Sequence, residues 1–248
     1  MKKLLTIAVA SIVVAAAADG SYSPSIGVTS VPLLQKNNVI PVQFTSLKES
    51  GAVKVADLVC TNNIPLSSHL YVYDGGYTAW VLQATGWVPT ATVSSAYGID
   101  AGAGASTKDL PAGSAIWLSF PETPGSAINV SFYGKVATST NTTIVAGTIS
   151  DPVSTLVCNP TGATVAGGTL VTKLVSGVEP VKGDKITLVG GSSYSGYYSY
   201  SKSGYWMFVT TDGDGVTTAT LQDPELPDLA ANQGFWYQRR GAAGSIGW

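Results

Sequence analysis

The sequence predicts an all-β protein made of two tandem pseudo-repeated modules, each a small β-barrel or β-sandwich. Three observations lead there. Nearly every apolar segment is short, rich in Val, Ile, Thr, Tyr or Trp, and bounded by Gly, Pro, Asn or Ser, which is the pattern of strands separated by turns. The chain also repeats itself: Leu58 falls on Leu174, Val59 on Val175, Leu70 on Ile186 and Val72 on Leu188, a constant separation of 116 held through an intervening loop. Finally, charged residues are only 11% of the chain and there are 28 glycines, against roughly 25% charged in ordinary globular domains.

Taken in order, the chain opens with Lys2 and Lys3, an uncharged run from Leu4 to Ala18, and four alanines before Asp19. This is the charged, apolar and small-residue layout of a cleaved export signal over 1–18. It is shorter than the roughly 20 apolar residues a spanning helix needs. Residues 19–38 form a Ser-, Pro- and Val-rich arm without a counterpart in the second copy. Such an arm either docks locally as an edge strand or adds to a neighbour's sheet.

The first module covers 39–121, with strands expected at 39–45, 69–73, 77–83, 87–93 and 115–120. Asp74, Gly75 and Gly76 read as a hairpin turn. Two connecting strands, 126–136 and 142–149, fill the segment 122–154 and either close the first module or weld the halves together. The second module and C-terminal tail cover 155–248, with strands expected at 155–158, 185–189, 197–201, 205–210 and 234–239. The separation grows to 118 where Gly86 and Trp87 meet Gly204 and Tyr205, then to 119 where Asp109, Leu110 and Trp117 meet Asp228, Leu229 and Trp236. Insertions in surface loops, one of them at 190–193, accommodate that growth cheaply. Helix is expected only as single turns, at 54–60 and near 172–176. Pro224 and Pro227 argue against a long helix over 222–231.

The candidate functional residues are few. Aromatic rings concentrate in the hairpins, and Trp80, Trp87, Tyr198, Tyr200 and Trp206 are the candidates for a ring face that stacks on a sugar or other ligand. Asp212-Gly213-Asp214-Gly215 resembles the first half of a calcium loop, which makes Asp212 and Asp214 weak metal candidates. The third acid and the bidentate Glu are missing, and a hairpin turn explains the motif without an ion. Cys60 and Cys158 are the only cysteines. After export they would form a disulfide if the modules pack face to face, or else sit buried as small hydrophobes. His69 is the sole histidine, which with two separated cysteines excludes a structural zinc centre. No cofactor motif is present. The acids lie mostly in turns rather than in facing pairs, and there is no nucleophile elbow or phosphate loop.

The recurring phrase runs from a strand containing Pro, through a LeuVal turn and a loop of GlyAsp type, to an aromatic hairpin with GlyTrp and then AspLeu…Gly…Trp. Over most of 39–241 it resembles that of uncharacterised exported all-β repeat proteins of verrucomicrobial-type bacteria. The two copies diverge at Ser67, Ser68 and His69, where the second has Gly183, Asp184 and Lys185. The resemblance implies export and an all-β fold, and carries no catalytic residues.

The net charge is −2, and loss of Lys2 and Lys3 makes it more negative. No basic stripe exists for nucleic acid, and no later stretch would span a bilayer as a helix. The expectation is a non-enzymatic exported protein, extracellular, at the cell surface or periplasmic, that acts as a structural or self-assembling component. Its partners would be itself or other surface proteins. The alternative is a carbohydrate- or ligand-binding module that meets glycans through an aromatic face. A hydrolase would require two acids in one pocket.

Overall fold

The structure, a computed structural model, describes residues 26–33, 35–45, 47, 52–58, 64–73, 76–90, 99–101, 108–136, 140–189, 196–231 and 233–248. The expected leader at 1–18, Cys60 and the insertion at 190–193 lie outside them. In chain order the first elements are β1 (Ile26–Leu33), β2 (Asn37–Pro41), β3 (Phe44–Thr45), β4 (Val53–Lys54), α1 (Val55–Leu58), β5 (His69–Tyr73), β6 (Tyr77–Gln83), β7 (Gly86–Pro89), β8 (Ile99–Ala101), β9 (Asp109–Leu110) and β10 (Ala115–Ser119). They are followed by β11 (Ile128–Val136), β12 (Asn141–Ile144), β13 (Val153–Cys158), α2 (Gly167–Val178), β14 (Lys185–Leu188), β15 (Tyr197–Tyr200), β16 (Trp206–Thr211), β17 (Thr217–Leu221), β18 (Gly234–Arg239) and β19 (Gly244–Gly247). The protein is all-β.

Two six-stranded sheets dominate. The first runs β2–β10–β5–β6–β7, with β8 added in parallel beside β6, and the second runs β13–β18–β14–β15–β16–β17. Both are open, as are the smaller sheets, so the barrel alternative is corrected. Each sheet contains a hairpin (β5–β6 or β14–β15) whose first strand is flanked on its other side by a later strand, β10 or β18.

Strand alternation explains what each sheet buries. Along β5, Leu70 and Val72 point inward while His69, Tyr71 and Tyr73 point outward, the two-residue period of a sheet covered on one side. The inner face of the first sheet carries Ile40, Leu70, Trp80, Leu82, Trp87, Ile116 and Leu118. It packs on Val31, Leu33, Phe44, Val130 and Phe132 of the three-stranded sheet β1–β11–β3. Residues 39–45 are therefore not one strand: Val42 and Gln43 break it into β2 and β3, which belong to different layers. The N-terminal arm docks through β1, paired along its whole length with β11 from Ile26↔Lys135 to Leu33↔Ile128.

In the second sheet, Val157, Ile186, Tyr198, Trp206, Phe235 and Tyr237 face α2 and the β12–β19 pair. The expected single turn near 172–176 is corrected here: α2 is a 12-residue helix. Its Gly and β-branched content is poor for a helix, but Leu170, Leu174 and Val178 recur every four residues and are buried together. Each contributes about 1.5–3 kcal/mol, enough to override local propensity. A carboxylate from a distant loop serves as the cap, since the Gly167 N–H donates to Asp228 Oδ1 at 3.0 Å. A Cβ at Gly167 would stand 1.8 Å from the Leu226 carbonyl oxygen, so only glycine lets this helix reach its seat.

The connecting strands divide between the halves. β11 completes the first and β12 joins the second through β19. The two large sheets touch through their outer faces, where Val39, Ala115, Leu156 and Cys158 are buried among Tyr73, Trp117, Val189 and Trp236. Polar bonds reinforce the seam. Gln43 Nε2 donates to the Pro160 carbonyl at 2.6 Å, and Trp248 Nε1 donates to Thr142 Oγ1, which in turn donates to the Gly113 carbonyl.

One turn shows backbone geometry kept where side chains differ. The Gly183 N–H donates to Tyr200 O and the Tyr200 N–H to Asp184 O, both at 2.9 Å; Ser67 and Leu82 repeat this with Ser67 N–H to Leu82 O and Leu82 N–H to Ser68 O. Gly183 has φ +88°, and Ser67 holds the same left-handed conformation at φ +67°. A side chain is strained there and glycine is not. Ser67→Gly is therefore expected to stabilise the protein by about 0.5–1 kcal/mol, seen as a higher urea midpoint with unchanged slope; a lower midpoint contradicts it.

Candidate functional site

The five aromatic candidates do not form an exposed face. Trp80 and Trp206 are 0% exposed, and Trp87 and Tyr198 are buried. Tyr200 is half-buried, with its ring centroid 5.2 Å from that of Trp206. The physical reason is register: Trp80 pairs with Leu70, Trp87 with Leu82, Tyr198 with Ile186 and Trp206 with Tyr200, all on the inner sheet faces. These rings build the cores and cannot stack on a ligand from solvent.

Asp212 and Asp214 sit in the β16–β17 hairpin turn. Asp212 Oδ1 accepts the N–H groups of Asp214 and Val216, and the Asp212 carbonyl accepts the Gly215 N–H. Gly215 at φ +80° closes the turn with a bulge. The carboxylate thus serves as turn cement. Among the described residues no group of three His, Cys, Asp or Glu side chains could hold a metal ion.

Cys158 is buried at the seam, and burial pushes its pKa up, opposed by the backbone hydrogen bond from Asn159. Its expected partner Cys60 lies outside the described residues. His69 stands half-buried on the outer face of β5, with its ring parallel to that of Tyr71 at 5.9 Å.

The buried charged cluster found among the described residues was not singled out by sequence reasoning. Asp184 is 0% and Arg239 2% exposed. Asp184 Oδ2 accepts Arg239 Nη1 at 2.6 Å, the Tyr237 hydroxyl at 2.8 Å and the Val181 N–H at 3.1 Å, while Oδ1 accepts the Arg240 N–H at 2.7 Å. Burial, then the adjacent Asp184 carboxylate, raises the Tyr237 pKa far above the ordinary phenol value. Both carboxylate oxygens accept hydrogen bonds, and the group has no access to solvent. Its chemistry is structural: it pins the 181–184 turn to the end of β18.

Two features of the surface remain. On the outer face of the first sheet, His69, Tyr71, Tyr73, Tyr77 and Trp117 stand half-buried, and Trp236 joins them from across the seam, 5.0 Å from Tyr73 and 6.1 Å from Tyr77. The register that buries Trp80 turns these rings outward.

The second feature is β17, the outer strand of the second large sheet. All five of its residues are exposed. The hairpin bond from Asp212 N–H to Val216 O sets the alternation. Thr218 and Thr220 turn their backbone groups toward β16, and Thr217, Ala219 and Leu221 turn theirs away. The strand is a β-branched run after a GlyAspGly turn, and none of the strands expected from the sequence falls there.

No helix among the described residues is long and apolar enough to cross a membrane. Comparison with known proteins finds no matching family model, no matching curated protein and no matching solved structure.

Proposed function

We propose that this chain is an exported, non-enzymatic structural β-protein of the cell surface or extracellular space, built from one β-unit written twice, that works by associating through its surface. The observation that carries the reading is the open edge of β17, five exposed and uncharged residues that pair with β16 on one side and, among the described residues, with no strand on the other.

Support for the duplication comes from matching registers. Trp117 lies between Val39 and Tyr71, and Trp236 lies between Leu156 and Thr187. Leu110 is paired with Val53 just before α1, and Leu229 with Val165 just before α2. The pairing moves two sequence equivalences by one residue. Val39 corresponds to Leu156 rather than Thr155, and Trp87 to Trp206 rather than Tyr205, because the second hairpin turn is one residue longer. The resemblance to exported repeat proteins read from the sequence fits the same reading.

The half-exposed aromatic face favours a second reading, a glycan-binding module in which His69, Tyr71 and Trp117 contact sugar rings. Light scattering of the mature chain over a wide concentration range separates the two. A mass that rises with concentration supports association. A constant monomer mass removes it, and binding on a glycan array would then establish the second reading.

A further inference from the structure

We infer that Thr217–Leu221 is the seat of a second copy of this chain, with the two β17 strands paired antiparallel about Ala219 so that one sheet continues across a twofold axis into the other. This rests on the associating role proposed above and names its surface, register and partner.

The first argument is the backbone. The outward groups belong to Thr217, Ala219 and Leu221, the two ends and the centre of the strand. A copy placed antiparallel about Ala219 sets Ala219 opposite Ala219 and Thr217 opposite Leu221. Each is then a hydrogen-bonded pair, and every outward N–H and C=O finds a partner. The second argument is the side chains. The pairing brings Thr218 beside Thr220, a favourable cross-strand combination, with alanine at the axis and no charge within the paired segment. Such a contact is isologous and needs nothing beyond this chain.

The third argument is contrast with the other edges of the same molecule. Sheet edges are ordinarily guarded by lysine, proline, bulges or a covering element. Here β1 carries Pro32, β7 carries Pro89, and β13 lies against β2 and β10. The strand β17 has no lysine, no proline and, among the described residues, no covering element. Its flanks are acidic, with Asp212 and Asp214 at one end and Asp223 and Glu225 at the other, and no Lys or Arg lies between Lys202 and Arg239. Antiparallel pairing brings one copy's Asp214 end beside the other's Asp223 end. Those like charges oppose association until salt screens them.

A five-residue edge buries less than the roughly 1,000 Å² of a lasting interface, so the dimer is weak, with Kd around 0.1–1 mM. The test uses the mature chain by light scattering at rising concentration, with three variants. Ala219→Pro removes an outward N–H, leaves the bonds to β16 in place, and is expected to weaken association at least about tenfold at an unchanged thermal midpoint. Ala219→Cys is expected to give an oxidised dimer cross-linked between the substituted positions, since Cα atoms about 5.5 Å apart accept a disulfide. Thr217→Cys, whose copies lie far apart in this register, is expected not to. Added NaCl is expected to strengthen the wild-type dimer. If the wild type stays monomeric throughout, both this inference and the associating role fail. If it assembles but Ala219→Pro assembles equally well, or the cross-link forms at Thr217→Cys instead, the β17 pairing fails while the broader role survives. Dissociation in salt also overturns the register.

Discussion

Arg239→Ala is expected to lower stability by about 3–5 kcal/mol, close to a third or more of what a domain this size has to lose. The cause is the charge left behind. Asp184 is fully buried and receives four hydrogen bonds, of which Arg239 supplies the only cationic one. Removing the guanidinium strands a carboxylate in a medium of low dielectric, and also frees the Glu179 and Ala242 carbonyls that Arg239 satisfies. The measurement is the denaturant midpoint at constant slope. A loss under about 1 kcal/mol would show that the pair is a surface-type interaction worth little.

The first sheet supplies the control for this experiment. At the matching positions it has Ser68 for Asp184, Leu118 for Tyr237 and Phe120 for Arg239, all buried. One half of the molecule therefore solves this turn with a charged network, and the other with apolar packing and a single hydroxyl, Ser68 Oγ donating to the Pro65 carbonyl. The combined variant Asp184→Ser, Tyr237→Leu, Arg239→Phe is expected to recover most of what Arg239→Ala loses. Replacing a whole buried network by apolar groups costs little, whereas breaking one partner out of it costs much.

Trp206→Ala is expected to cost a similar 3–5 kcal/mol, whereas Trp206→Phe should fall near zero. Trp206 is 0% exposed and packs on Tyr200 and Tyr237. Truncation to alanine empties the middle of the second core. The indole Nε1, however, has no hydrogen-bond partner, and Trp87 Nε1 shares that condition in the first core. An unsatisfied buried donor costs about 1–3 kcal/mol, and phenylalanine removes it while giving up part of the ring's area. The two terms offset. Thermal or chemical denaturation of Trp206→Ala and Trp206→Phe, with the same two substitutions at Trp87, checks this; a loss at Trp206→Phe as large as at Trp206→Ala would show that volume alone governs the site.

Most strand positions were legible because their signals are local: His69–Tyr73, Tyr77–Gln83 and Gly234–Arg239 have the alternation and the bounding turns that the rules read. What escaped depends on partners far away in sequence. The helix at Gly167–Val178 is stable only against a sheet assembled from residues on both sides of it. The inward turn of Trp80, Trp87 and Trp206 depends on strand register, which composition does not report, so an aromatic-rich hairpin looked like a binding face when its rings were core. The Asp184 cluster draws its residues from a turn and from a strand more than fifty positions later, leaving no spacing to recognise.

The strand partnerships also dictate when the molecule comes together. β1 waits for β11, β2 for β10, β13 for β18 and β12 for β19, so in each half the strands synthesised first bond only to strands synthesised much later. The central hairpins assemble early, and closure is postponed until almost the whole chain is present. Contacts so distant along the polypeptide make for slow folding, on the order of milliseconds to seconds. In the exported role proposed above, such lateness would keep the chain open while it is threaded through a translocation pore.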